Sequence, residues 1–145
     1  MASHLLDVNA LIAMLWEDHP FHGTMASWFA RPWSGWSTCA ITQFGFVRVM
    51  SQPALAQHGR KLAELADVLA QNAAQPSHRL LPLDFDFADV LACCTGGVVG
   101  HRQITDAYLL TAAVRAGMKL LTFDSGLGTL LASSAERSAH IELLR

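Results

Sequence analysis

Hydrophobic residues along this chain fall into two alternating patterns, short continuous runs and longer stretches with helical spacing. The runs, each of strand length, sit at Leu5-Leu6, Trp36 to Ala40, Arg79 to Leu83 and Leu120 to Phe123, with a weaker one from His140 to Leu143. Strand alternating with helix predicts an α/β fold, in which a central, mostly parallel sheet carries helices on both faces. Between Arg60 and Gln71, residues Leu62, Leu65, Ala66 and Leu69 recur at i, i+3, i+4 and i+7 while Lys61, Glu64 and Asp67 fall elsewhere on the wheel. That spacing predicts an amphipathic helix with one buried face. Thr105 to Gly117 is apolar almost all round, so it reads as a central buried helix with Thr105-Asp106 at its capping position and Gly117 as a left-handed stop. LLDVNAL near the N-terminus and KLLTFD after that helix share one plan, a strand-like run that ends in an aspartate.

With 145 residues, 52% of them hydrophobic, the chain can close a core without a disulfide or structural metal and is too apolar to be disordered. One domain spanning 1–145 is predicted. Ten Lys and Arg against twelve Asp and Glu leave no global positive field, so a nucleic-acid partner must be held by a local basic patch or through a bound cation. Cys39, Cys93 and Cys94 form an odd set without CxxC spacing, which suits buried or semi-buried thiols in a reducing compartment. The N-terminal segment lacks a positive leader, and no stretch approaches the roughly 20 apolar residues of a membrane span. A soluble, cytoplasmic protein with no membrane partner is predicted.

Asp7 and Asp124 each follow a strand-like run, and Asp106 opens the buried helix. In an open α/β sheet, strand ends and the following helix starts share one edge, where ligands bind. Each acid alone has an ordinary structural role, because Asp is a favoured N-cap and suits the positive end of a helix dipole. Together they weigh differently. Two like charges about 5 Å apart at an effective dielectric near 20 repel by roughly 3 kcal/mol. A divalent cation offsets that repulsion, and an all-oxygen site of carboxylates and waters suits Mg²⁺ or Mn²⁺ rather than Zn²⁺. Such an ion can orient a phosphodiester and make a nucleophile of a bound water.

Three blocks, LLDVNALIAML, ITQFGFVRVMSQP and GHRQITDAYLLTAAVRAGMKLLTFDSGL, resemble in order the motifs of PIN-domain ribonucleases, and most closely those of VapC-type toxins. The resemblance runs from Leu5 to about Leu127. It implies a PIN-like three-layer α/β/α sandwich and an endoribonuclease that cleaves RNA phosphodiesters with a metal-activated water. Asp7, Asp106 and Asp124 would hold Mg²⁺ or Mn²⁺, a cognate antitoxin would restrain the activity, and a homodimer is a family-based expectation. The chain departs from the family at Gln43, where a fourth acidic residue, a Glu, usually stands. An amide can still hydrogen-bond a water at the site, so Gln43 is read as positioning water, but it removes one negative charge. Metal affinity is expected to fall, and a second ion would have one fewer charged ligand.

Other residues carry plainer readings beside functional ones. Asn9 either orients a water at the site or completes a helix cap, and the cap is preferred. Thr122 lies two residues before Asp124, on the same side of its strand, and is read as hydrogen-bonding either a carboxylate or a water at the site. The glycines of Gly96-Gly97-Val98-Val99-Gly100 are read as a turn, while His101 and Arg102, through the resemblance, are read as RNA contacts. Arg48 reads equally as surface charge, ion-pair partner or phosphate contact. Asp84, Asp86 and Asp89 are assigned to a helix start, and His19 and His22 to a turn, since no second pair completes a zinc site. Trp16, Trp28, Trp33 and Trp36 are mostly core, yet Trp28, Phe29 and Trp33 also suggest an apolar groove for the antitoxin.

Two other function classes fit. A catalytically weakened PIN-like module would bind RNA or protein without cutting, with Gln43 as its mark. A phosphatase or phosphotransferase with Asp7 as nucleophile finds Asn9 where a second Asp would help and no placed Lys, and ranks last.

Overall fold

A computed structural model of the chain describes residues 3–32, 35–55 and 60–145. The elements run β1 (Ser3–Leu6), α1 (Val8–Leu15), α2 (His22–Phe29), β2 (Gly35–Cys39), α3 (Ala40–Met50), α4 (Leu62–Ala73), β3 (His78–Leu81), α5 (Phe87–Cys93), α6 (Ile104–Arg115), β4 (Lys119–Thr122), α7 (Ser134–His140) and β5 (Ile141–Leu143). Short 3₁₀ turns occupy His101–Gln103 and Ser125–Leu130. Among the described residues, five strands form one parallel sheet in the order β3-β2-β1-β4-β5, and every predicted strand is found.

Adjacent leucines explain how the sheet is covered on both sides. Side chains alternate across a strand, so Leu5 and Leu120 enter a core with Val90 of α5 and Leu109, Leu110 and Ala113 of α6. Leu6 and Leu121 enter the opposite core with Leu11 of α1, Trp28 of α2 and Phe46 of α3. Central strands therefore read as continuous apolar runs, as parallel strands buried on both faces do. The layers are helix, sheet, helix. Glu142 in β5 ties the sheet's last strand back to its first strand and to α2: it accepts from Trp28 Nε1 at 3.2 Å and from Arg31 at 3.0 Å, and meets His4 Nε2 at 2.6 Å.

Several local expectations change. The α4 face is less buried than its periodicity predicts: Leu65 is fully enclosed, Leu62 is 64% exposed and Ala66 is also exposed. The helix lies over α3 and the edge strand β3, so Leu65 reaches the core, Leu69 packs half-buried against it, and Leu62 and Ala66 face outward. Helix α6 begins at Ile104, with Gln103 as its cap residue, which places Thr105 and Asp106 inside the first turn rather than at the cap. Gly117 closes α6 at φ +68°, the left-handed conformation expected of it. Asp86 and Asp89 form a reciprocal capping box at 3.0 Å each way, which accounts for that acidic run. Cys39 and Cys94 are buried and Cys93 half-buried; burial pushes the Cys94 thiol up to about 11, which favours the protonated thiol over the thiolate.

Candidate functional site

Strand order reverses at β1, which has β2 on one side and β4 on the other. The crevice beyond the carboxyl ends of β1 and β4 is a topological switch point, the place where open α/β sheets bind ligands. Asp7 leaves the end of β1 and Asp124 follows the end of β4, and the Asp7 N–H donates to Leu121 O at 3.0 Å, holding the two strand exits together. Asp106, in the first turn of α6, completes the group.

Two of the three acids do cap helical turns. Asp7 Oδ1 accepts from the Ala10 N–H at 2.7 Å, and Asp124 Oδ1 accepts from the Gly126 N–H at 2.8 Å. Thr122 links them, donating its hydroxyl to Asp7 Oδ2 and accepting the Asp124 N–H at 3.0 Å. Of the two partners read for Thr122, a carboxylate or a water, the hydrogen bond here is to a carboxylate, that of the neighbouring strand's Asp7. Asp106 has no capping role.

The three acids are electrostatically coupled. Asp106 is pushed up to about 6, by burial first and then by the charges of Asp124 and Asp7. Burial also raises Asp7, against hydrogen bonds from Thr122 and Ala10 that favour its charged form, and Asp124 adds to the rise. Among the described residues no three His, Cys, Asp or Glu side chains form a ready-made metal cage. Mg²⁺ does not require one, because it keeps several waters and takes one or two protein carboxylates. A set of hard carboxylate oxygens, one of them held near its protonation boundary by burial and then by its neighbours' charges, has the donor chemistry that Mg²⁺ or Mn²⁺ takes.

The other predicted residues are distributed around this edge. Gln43 is half-buried in the first turn of α3, and its Nε2 donates to Thr38 Oγ1 at 2.9 Å. Asn9 is exposed and meets His19 Nε2 through Oδ1 at 3.2 Å; Asp7 makes the cap, which corrects the capping role given to Asn9. His22 Nδ1 meets Ala13 O at 2.7 Å, so both histidines of that segment serve the turn between α1 and α2. His101 and Arg102 are exposed in the 3₁₀ turn directly before α6.

The glycine segment is a packing turn. The Gly96 N–H donates to Leu130 O at 2.8 Å, and a Cβ at Gly96 would stand 2.3 Å from Thr129 O. Gln103, which the sequence did not single out, accepts the Val99 N–H at 2.7 Å and donates to Thr129 at 3.3 Å, clamping the His101-Arg102 turn to the segment after β4.

The proposed Trp28-Phe29-Trp33 groove is not observed. Trp28 is 2% exposed in the core and Phe29 packs against the same cluster, while Trp33 lies outside the described residues. Exposed apolar surface lies instead along α3, where Phe44 is 66% exposed. A groove of about 670 Å³ separates α3 from α4, and one of about 430 Å³ runs between α3 and the starts of α1 and α6. Arg48 lines both, which places it on the surface of α3.

Comparison with known proteins gives a concordant result. The family model described as PIN domain matches residues 4–130. Ribonuclease VapC38 of Mycobacterium tuberculosis (strain ATCC 25618 / H37Rv) is 42% identical over 127 residues, covering 87% of this chain and 88% of that protein. Ribonuclease VapC44 of Mycobacterium tuberculosis (strain CDC 1551 / Oshkosh) is 34% identical over 141 residues, covering 97% and 98%. Among solved structures, VapBC2 from Rickettsia felis, bound to a DNA fragment from its promoter, superposes with a TM-score of 0.61 at 9% identity over 99% of both chains, a likeness of fold.

Proposed function

The chain belongs to the PIN-domain family, among its VapC-type members, and from that premise we propose that it is a divalent-cation-dependent endoribonuclease acting as the toxin of a toxin-antitoxin pair. The observation that carries the reading is the acidic edge at the β1/β4 switch point, where burial first, and then the charges of Asp124 and Asp7, raise Asp106 to about 6. Asp7, Asp106 and Asp124 would hold Mg²⁺ or Mn²⁺. Such an ion, when bound, polarises the phosphodiester and lowers the pKa of an attacking water.

The chain's own groups supply the rest. Thr122 holds one Asp7 oxygen and the Ala10 N–H holds the other, so that carboxylate is preorganised in one orientation. Asp106, at its protonation boundary, is the group suited to receive a proton from water near neutral pH. Arg102 and His101, exposed next to α6, are assigned to the RNA phosphates, and Gln43 to orienting water. The antitoxin, a protein in the family's toxin-antitoxin pairs, is proposed as partner.

Incubation of the purified protein with labelled single-stranded RNA and Mg²⁺ or Mn²⁺ tests this reading. Internal cleavage with 5′-phosphate ends is expected, inhibited by the cognate antitoxin. RNA retained intact under both cations would support the binding-module reading instead.

A further inference from the structure

Gln43 donates to Thr38 Oγ1 at 2.9 Å, Thr38 Oγ1 meets His78 Nε2 at 2.9 Å, and His78 Nδ1 meets Ala73 O at 3.1 Å. Thr38 is buried in β2 and His78 opens the paired strand β3, its ring centroid 4.5 Å from that of Trp36. The direction of every bond in this chain follows from its far end. A carbonyl only accepts, so His78 Nδ1 carries a hydrogen. In the neutral ring, Nε2 is then a lone pair, and Thr38 must donate to it. The Thr38 oxygen is left as an acceptor, so residue 43 must be a donor. A glutamine amide can donate there and an ionised glutamate cannot. His78 is held below its ordinary value by burial, against a raising contribution from Ala73 O, which keeps the ring in this neutral form.

We propose that Thr38 and His78 are positioning residues that fix the Gln43 amide with Nε2 inward and Oε1 outward, and that this relay is why an amide stands at 43. The functional half of this inference rests on the ribonuclease reading. With one Nε2–H committed to Thr38, the amide is oriented so that Oε1 offers a water or an RNA hydroxyl a hydrogen-bond acceptor, the polarity a glutamate would present there but without its charge, while the second Nε2–H remains a donor beside it. Gln43 is on this account a residue specified by its neighbours, with its acceptor held in place.

The experiment is NMR of the isotope-labelled full chain, paired with cleavage kinetics. Unaltered protein is expected to hold His78 as the Nδ1–H tautomer. Gln43→Glu removes the inward donor, so Thr38 must turn its hydroxyl to the carboxylate and His78 must donate through Nε2; its pKa is expected to rise by about one unit or more. Charge attraction through space also raises it, and the Thr38→Val/Gln43→Glu pair separates the two, losing most of the rise if the relay carries it. An Nε2–H tautomer, or a rise undiminished by Thr38→Val, overturns the relay. In kinetics, Thr38→Val is expected to slow cleavage about 10–100-fold with KM little changed, as loss of a supporting hydrogen bond does, while Thr38→Ser keeps the rate. Unchanged kcat in Thr38→Val overturns the positioning role. Absence of cleavage in unaltered protein, with the His78 couplings intact, refutes the ribonuclease reading and leaves the relay standing.

Discussion

Replacing Asp106 with Asn is expected to reduce RNA cleavage by at least about a thousandfold, roughly 4 kcal/mol of barrier, while making the protein more stable. The substitution conserves shape and removes one charge from a half-buried acid that faces Asp124 and Asp7. An acid whose folded-state pKa is raised from 3.8 to about 6 binds more protons folded than unfolded across that interval, so it costs stability as pH rises through it and the full cost is present above about 6. After allowance for the group's partial exposure to solvent, the gain from Asn is about 1–2 kcal/mol at pH 7–8, or a few degrees in Tm. It should vanish near pH 4. Thermal melts at both pH values, beside turnover, check this. A variant both inactive and more stable excludes misfolding as the cause of inactivity; lower stability at pH 7–8 would refute the electrostatic description of the pocket.

Chelation of divalent cations is expected to abolish cleavage to a similar extent, with recovery on adding Mn²⁺ or Mg²⁺. The pH dependence follows from the same acid. Protons and cation compete for the ionised pocket, so below about 6 the apparent cation affinity should fall, by up to about tenfold per pH unit for one coupled proton. At fixed, subsaturating cation, activity should drop through that window, and raising the cation concentration should move the drop to lower pH. Cleavage insensitive to chelators, or an acid limb unmoved by cation concentration, would show that the carboxylates act without an ion.

How much of this was readable from the chain alone depends on whether the determining contacts are local. The strands were legible because Leu5-Leu6 and Leu120-Leu121 face two cores, which forces apolar runs with no polar alternation. The acidic edge was legible because parallel strands bring Asp7 and Asp124 to one side of the sheet whatever the loops do. The fate of α4 was not, since a correct helical period says which residues share a face and nothing about whether another layer covers it; α4 lies at the β3 edge, and Leu62 stays exposed. Nor was the placement of Trp28, which bonds Glu142 on the last strand, 114 residues away. The relay to Gln43 had no local signal either, because it depends on the β2–β3 register, which sets His78 opposite Trp36 and within hydrogen-bonding reach of Thr38 two residues along the strand.

Crystals grown with Mn²⁺ and measured at the manganese absorption edge address the pocket most directly. An anomalous peak ligated by at least one of Asp7, Asp106 and Asp124, with waters completing its shell, is the predicted result. A well-ordered pocket without such a peak, in protein that cleaves RNA under the same cation, would contradict the claim that these carboxylates act by holding an ion.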